Sequence, residues 1–232
     1  MSDDTPTVQH AVRAVLGIGR GGIRRRRPVP EALPPLERYL REWQSERLAR
    51  THADLVNSPE YGTATRFFLN DIYAPKDFSQ RDADLLALYD FFRKFMPAPA
   101  LRVLQNTVVL NDLTHKLENE MVAQLSALGC VDSFTEEQYE AAYRHGSYDE
   151  RVRQIDLIIA VGRDLARLGR LPFIAPTVRA ARGPAERLGW GELHDFLERG
   201  YLAWRKMPNP DLFLNRIETR EKAILDRIFR KA

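Results

Sequence analysis

The segment from residue 98 to residue 128 constrains the fold most strongly, because its apolar residues recur at helical spacing over its whole length. One seven-residue rhythm begins at Leu101 and ends at Leu125, and its middle positions are the polar residues Asn111, His115 and Glu118. A second apolar stripe lies beside it and comprises Leu110, Leu113, Leu117, Met121 and Leu128. So wide an apolar face is typical of a helix buried among others. Because Gly129 is the residue type that most often ends a helix, we predict a long central helix over about 98–128.

Capping signals predict further helices on both sides of this segment. A serine, threonine or asparagine stands before most of the other helical patterns, where its side-chain oxygen can accept a hydrogen bond from the first turn. These cap residues are Ser58, Ser79, Thr135, Ser147 and Asn209. The predicted helices cover 34–56, 59–74, 79–96, 136–145, 148–168, 191–206 and 210–230, and short pieces broken by prolines cover 170–190. The fold class is therefore all-α: a single-domain bundle of about eight to ten helices over residues 31–232.

Residues 1–30 are predicted to form a disordered basic tail. Six arginines stand against two aspartates there, and the glycines and prolines among them do not favour packing. A solvated leader is the favoured interpretation. The alternative is a nucleic-acid or anionic-membrane contact through Arg24, Arg25, Arg26 and Arg27. Since the whole chain carries a formal charge of +3, the remainder is close to neutral and lacks the basic excess of a nucleic-acid-binding body.

Cysteine usage and hydropathy indicate the compartment. Cys130 is the only cysteine, which excludes an internal disulfide framework and a cysteine-rich zinc site. No apolar run approaches the roughly 20 residues of a membrane span. Asp3 and Asp4 stand where a signal peptide would carry positive charge. We therefore expect a cytoplasmic protein.

Two histidines are the weak candidates for metal or haem ligation. His115 lies three residues after Asp112, but a di-iron bundle needs a carboxylate-histidine pair on each of two helices, and only one such pair is present. His52 lies on the apolar side of the first helix and could ligate haem iron. The favoured interpretations are a polar break in the core seam for His115 and a hydrogen-bonded core histidine for His52. No cofactor is expected.

No catalytic residue is predicted. Ser58, Ser79 and Ser147 are explained as helix caps, and no Gly-x-Ser-x-Gly sequence is present. The glycines in GIGRGG lack the lysine and the preceding strand of a phosphate-binding loop. We expect a non-enzymatic protein, and an enzyme remains the alternative.

The stretch RFFLNDIYAPKDFSQRDADL, residues 66–85, departs furthest from ordinary helix composition. Charged residues alternate there with aromatic residues around a proline turn. The candidate ligand-binding residues are Arg66, Asp71, Tyr73, Lys76, Asp77 and Arg81. The other interpretation is structural, with the charges capping helix ends and pairing locally around a helix–turn–helix corner. We favour this second interpretation because each charge has a plausible local role.

The same stretch carries a family resemblance. FFLNDIYAPKDFSQRDAD resembles the motif FFL-x-D-L-Y-G-P-x-D-F-x-x-R-D of a family of helical bacterial proteins of unknown function, and the similarity extends over about residues 36–230. Ile72 and Ala74 stand where the motif prefers leucine and glycine. The motif residues carried over are Asp71, Tyr73, Pro75, Asp77, Phe78, Arg81 and Asp82. The resemblance implies an all-helical fold and supplies no activity.

Three hypotheses for the function follow. The first is a non-catalytic cytoplasmic protein that binds a partner protein or a small ligand, with regulation as one role. The second is an enzyme or a cofactor-binding protein that carries haem, another tetrapyrrole or a metal. The third is nucleic-acid contact through the arginine-rich tail.

Overall fold

The computed structural model describes residues 33–69, 98–172 and 174–230. The predicted tail over 1–30, the predicted helix over 79–96 and the motif residues from Asp71 onward lie outside these ranges. Within them every regular element is helical, which confirms the all-α fold class.

Nine helices make up the described part of the chain. They are α1 (Pro35–Thr51), α2 (Ala53–Val56), α3 (Gly62–Phe67), α4 (Ala98–Ala127), α5 (Glu136–His145), α6 (Tyr148–Gly169), α7 (Ile174–Leu188), α8 (Gly191–Arg205) and α9 (Pro210–Arg230). The long helix predicted over 98–128 is α4. None of the described helices is both long and apolar enough to cross a bilayer.

The predicted caps account for several of these boundaries. Thr135 Oγ1 accepts from the Gln138 amide and the Gln138 side chain accepts from the Thr135 amide, which is the complete capping box. Asn209 Oδ1 accepts from the Leu212 amide at the start of α9. Gly129, with φ +84°, follows the end of α4 in the left-handed conformation that glycine adopts without strain. Local hydrogen bonding thus fixes these helix ends.

Three boundaries differ from the prediction. The helix predicted over 59–74 begins at Gly62 as α3, and Ser58 Oγ accepts from the Glu60 and Tyr61 amides in the turn before it. The helix predicted over 34–56 is interrupted at His52, whose φ of −115° and ψ of 28° separate α1 from α2. The prolines of 170–190 do not break that segment into pieces, since α7 runs unbroken through Pro176 and Pro184. Pro176 stands in the first turn, where an amide hydrogen has no intrahelical partner. Packing of α7 against α8 and α6 outweighs the unfavourable position of Pro184.

The helices enclose two main apolar clusters. The first, here named the large core, gathers α2, α3, α6, α8 and α9; its bulkiest members are Tyr61, Phe67, Ile159, Trp204, Phe213 and Leu214. The second, the small core, joins α1, α4 and α5 and includes Leu36, Leu40, Met121, Leu125, Phe134 and Tyr139. Helix α6 packs against α4, α7, α8 and α9, and therefore connects the two halves of the bundle.

Candidate ligand-binding cavity

A cavity of about 100 Å³ lies where the two cores meet. Ile159 and Phe213 of the large core and Tyr139 of the small core all line it. Its apolar lining residues, here named the apolar wall, are Leu48, Phe68, Leu69, Ile155, Ile158, Ile159, Phe213 and Ile217. Its polar and charged lining residues, with the two tyrosines, are here named the polar wall and are Gln44, Arg47, His52, Thr65, Thr114, Glu118, Tyr139, Tyr143, Arg151, Gln154 and Glu221. The site is therefore amphipathic, as small-molecule sites in proteins commonly are.

A partly buried chain of hydrogen bonds joins α1 to α9 at the polar wall. His52 Nε2 lies 2.9 Å from Glu221 Oε1, and Arg47 donates to Glu221 Oε2. Because a carboxylate can only accept, His52 donates through Nε2. The other ring nitrogen, Nδ1, is buried without a hydrogen-bond partner among the described residues. In a neutral imidazole that donates through Nε2, this nitrogen is an acceptor, and no donor among those residues reaches it.

Glu221 is ionised in this network. Burial raises the pKa of Glu221. The hydrogen bonds and charges of His52 and Arg47 lower the pKa by more than burial raises it, so that it lies below its ordinary value. Burial also lowers the pKa of Arg47, and the carboxylate of Glu221 outweighs that effect, so that the pKa lies above its ordinary value. Arg47 and Glu221 therefore form a charged pair at neutral pH.

Arg151 is the most unusual residue of the polar wall. It is 4% exposed, and its guanidinium carbon lies 4.2 Å from the centre of the Tyr143 ring. Atoms Nε and Nη2 are both buried without a hydrogen-bond acceptor in the part of the chain that the structure describes. A guanidinium stays protonated under all physiological conditions, so a positive charge lies in the protein interior without a paired anion among those residues.

Glu118 contributes a second carboxylate to the polar wall, and it has a partner outside the cavity. Arg41 donates to Glu118 Oε2 at 3.1 Å and to Glu37 Oε1 at 2.9 Å. Burial raises the pKa of Glu118 above its ordinary value, although the charge of Arg41 opposes the shift. Beside it, Gln154 donates to Thr114 Oγ1 at 3.0 Å and links α6 to α4.

Tyr143 stays neutral within the site. Burial raises the pKa of Tyr143 to about 12, against the opposing charge of Arg151. The ring packs against Tyr139 and against Phe229, with centroid distances of 5.6 Å and 6.2 Å. One face of this aromatic group carries the Arg151 guanidinium, a cation–π contact.

The structure places the candidate residues from the sequence at different locations. His52 lines the cavity, and it is hydrogen-bonded as the favoured interpretation expected. His115 is half-buried on α4, where its charge lowers the pKa of the neighbouring Glu118. Arg66 is exposed on α3 and donates to the Val56 carbonyl at 2.9 Å, which is a structural contact. The other five, Asp71, Tyr73, Lys76, Asp77 and Arg81, lie outside the described residues.

Sequence reasoning missed Arg47, Arg151 and Glu221 as cavity residues. Arg151 precedes Ile155 by four residues and Glu221 follows Ile217 by four, so helical spacing places both charges on apolar faces. A charged residue in an apolar stripe is the signal that could have identified them. Their partners could not be identified in this way, because Arg47 and Glu221 are separated by 174 residues.

One group of potential metal ligands is present among the described residues, on α8. It consists of His194, Asp195 and Glu198. Arg182 donates to Asp195 Oδ1 at 3.5 Å and to Glu198 Oε2 at 2.7 Å, and His194 Nε2 lies 2.8 Å from the Val178 carbonyl oxygen. Ion pairing and a helix-to-helix hydrogen bond account for this arrangement.

Comparison with known proteins shows the family. No curated protein and no solved structure matches this chain significantly. A family model described as a domain of unknown function, DUF8198, matches residues 24–232. The match covers nearly the whole chain, and the protein therefore belongs to the DUF8198 family.

Proposed function

We propose that this protein binds a small molecule in the cavity between its two cores. The observation that supports this proposal is hydrogen-bonding capacity that the described residues leave unused. His52 Nδ1 and two nitrogen atoms of Arg151 are buried on cavity-lining residues without a protein partner there. A ligand with complementary polar groups would use this capacity after a small turn of these side chains toward the cavity.

The energetic argument rests on how rarely folded proteins leave such groups unpaired. A buried polar group without a partner costs about 1–3 kcal/mol, and a charged group costs more. Replacement by apolar residues of similar shape would remove that cost. Polar groups that are retained in this way are typical of binding sites, where the ligand completes the network.

The size of the cavity limits the ligand. An engineered apolar cavity of about 150 Å³ accommodates benzene, and the cavity here measures about 100 Å³. Without movement of the walls it accepts only molecules smaller than benzene. We therefore propose a ligand of few heavy atoms, with one apolar side and one polar end.

Ligand-observed NMR with a mixture of short-chain acids, alcohols, amides and amines tests the proposal. Saturable binding to the full chain is expected. Ile158→Phe places a larger side chain at the cavity wall and should abolish that binding, although such overpacking also costs about 1–3 kcal/mol of stability. The matched control is Ile224→Phe, because Ile224 is half-buried on α9 and does not line the cavity.

Two results would refute the cavity as a binding site. One is the absence of any saturable binder in the mixture. The other is binding that Ile158→Phe leaves unchanged, since the ligand would then occupy another part of the surface. Urea unfolding of both variants shows whether each is folded under the conditions of the NMR measurement.

A catalytic function is the second candidate, and the His52–Glu221 pair favours it. A carboxylate that holds one imidazole nitrogen and leaves the other unpaired is the arrangement by which enzymes orient a general base. The test is to follow each bound molecule by NMR over hours with the wild-type protein and with His52→Gln. Conversion by the wild type and binding without conversion by His52→Gln would establish the activity. Binding without conversion by the wild type would exclude it for those molecules.

Bacterial origin, the motif resemblance and a cytoplasmic location remain part of the proposal. The first two rest on the sequence of residues 66–85, and the third rests on the single cysteine. Nucleic-acid contact through Arg24, Arg25, Arg26 and Arg27 also remains a prediction. It would appear as salt-sensitive binding that is lost when residues 1–30 are deleted.

A further inference from the structure

Resting on the proposed ligand cavity, we infer that its ligand is a small monocarboxylate whose carboxylate pairs with Arg151. The apolar body of this ligand lies against the isoleucines of α6. This assignment specifies both the chemical class of the ligand and the residue that selects it.

The charge of Arg151 requires an anion. The side chain is 4% exposed, and no carboxylate among the described residues pairs with it. The Tyr143 ring, 4.2 Å from the guanidinium carbon, contributes a cation–π attraction but accepts no hydrogen bond in the plane of the guanidinium. The N–H groups on Nε and Nη2 therefore lack acceptors. A planar fork of donors is the geometry that matches a carboxylate.

The position of Arg151 also requires a small movement on binding. Atoms Nε and Nη2 lie beside Gly146. A Cβ built on that glycine would be 4.0 Å from Nε and 3.9 Å from Nη2. They are shielded from water as well as from protein acceptors. A turn of the long arginine side chain toward the cavity it lines would bring the guanidinium to an entering carboxylate, and the ring of Tyr143 remains alongside.

The neighbouring charges favour a monoanion over a dianion. Arg47 is paired with Glu221, and Glu118 is paired with Arg41. Arg151 alone among the charged residues lining the described cavity wall contributes an unpaired charge, and that charge is +1. A dianionic phosphate would add a second negative charge close to two buried carboxylates, which the low dielectric of the interior makes unfavourable.

The apolar wall selects an apolar body. Ile155 and Ile158 lie one and two turns after Arg151 on α6, and Ile217 faces the same cavity from α9. This order places apolar surface adjacent to the cation. A short aliphatic acid buries its chain on these residues while its carboxylate reaches Arg151, whereas formate or bicarbonate would leave the apolar wall without a partner.

Isothermal titration of propionate and propionamide tests the inference, because the two molecules share a heavy-atom skeleton of five atoms and differ in charge. A hydrogen-bonded ion pair predicts that propionate binds more than about tenfold tighter than propionamide. Arg151→Gln should abolish that preference and leave propionamide binding within about twofold. Arg153→Gln is the matched control, because Arg153 is exposed on the same helix and its loss should leave the preference intact.

The outcomes separate this inference from the proposed function. Equal binding of acid and amide would overturn the carboxylate assignment and leave the ligand cavity supported. Tighter binding of inorganic phosphate than of propionate would overturn the monocarboxylate class. Binding of neither propionate nor any other small molecule would overturn both proposals. If Arg151→Gln does not fold, the wild-type ¹⁵Nε resonance of Arg151 decides: it should shift with propionate and remain in place with propionamide.

Discussion

Two buried arginines occupy comparable positions in this bundle, and their surroundings differ. Arg41 on α1 is 9% exposed and donates to Glu37 and to Glu118. Arg151 on α6 is 4% exposed and stacks on Tyr143 without a carboxylate partner among the described residues. The first arginine connects α1 to α4, since Glu118 belongs to α4. The second makes no hydrogen bond through Nε or Nη2 to any residue of the described ranges.

The difference indicates what each charge contributes. A buried cation held by two carboxylates is a structural element, because its removal would strand those anions in the interior. A buried cation without a carboxylate partner lowers the stability of the fold unless another molecule supplies the anion. Residues that lower stability in this way are expected at sites of binding rather than at sites of packing.

The largest effect should follow from Arg41→Met. This substitution leaves Glu118 and Glu37 without their shared cation and should lower the free energy of unfolding by about 3 kcal/mol. The loss should be greater at about pH 8 than at about pH 5. Burial raises the pKa of Glu118 above the value that this residue has in the unfolded chain. The contribution of Glu118 to stability therefore diminishes as pH rises through the raised pKa. Urea unfolding at the two pH values measures the effect.

A smaller loss should follow from Glu221→Gln. This residue accepts from Arg47, the other arginine that lines the cavity beside Arg151, and from His52. Hydrogen bonds to charged groups contribute about 1.5–3 kcal/mol, and glutamine retains part of the geometry, so a loss of about 2 kcal/mol is expected at neutral pH. Because the pKa of Glu221 is lowered in the fold, the stabilisation is present above the unfolded-state pKa and is lost as pH falls.

The acid limb of the stability profile is the measurement for Glu221→Gln. The wild-type free energy of unfolding should fall more steeply than that of the variant as the solution becomes acidic. Parallel profiles would show that the pKa of Glu221 is not lower in the folded chain than in the unfolded chain. The contrast between the environments of Arg47 and Arg151 would then disappear.

Arg151→Met should act in the opposite direction and raise the free energy of unfolding by about 1 kcal/mol. Methionine keeps the apolar stem and its contact with the Tyr143 ring, while the unpaired charge is removed. Thermal unfolding in the absence of added ligand measures the change. Destabilisation comparable to that of Arg41→Met would mean that Arg151 has a structural role, and the difference between the two arginines would disappear.

Local features of this fold were predictable from the sequence, and the charge pairs between distant helices were not. The Thr135–Gln138 box, the Gly129 stop and the Asn209 cap each depend on residues within a few positions of one another. The Lys222–Glu218 and Arg230–Asp226 pairs also follow from four-residue spacing. The contacts that form the cavity join positions 169 and 174 residues apart. Their identity depends on how the helices pack, which one sequence does not specify.

The prolines of α7 show the same limitation, because they predict a break that the structure does not have. Pro184 in the middle of a helical pattern predicts a break, and the segment nevertheless remains one helix against α8. His52 shows the reverse, since its apolar spacing predicts continuity and the chain bends there. In both places tertiary contacts decide the local conformation, and at His52 the contact is the hydrogen bond to Glu221.

The smallest effect should follow from Asp54→Asn, which tests whether burial rather than pairing determines the cost of breaking an arginine contact. Arg220 holds Asp54 through two hydrogen bonds of 2.6 Å and 2.9 Å, as favourable a geometry as any at Arg41. The hydrogen bonds from Arg220 lower the pKa of Asp54 to about 2, so the stabilisation is present above the unfolded-state pKa and is lost as pH falls toward 2. Because both side chains are exposed to water, solvent screening limits the loss to about 0.5 kcal/mol. A loss near that of Arg41→Met, measured by urea unfolding at neutral pH, would show that bidentate geometry governs the energy. The free-energy cost of Arg151 would then come from its missing partner, and its burial would add little to that cost.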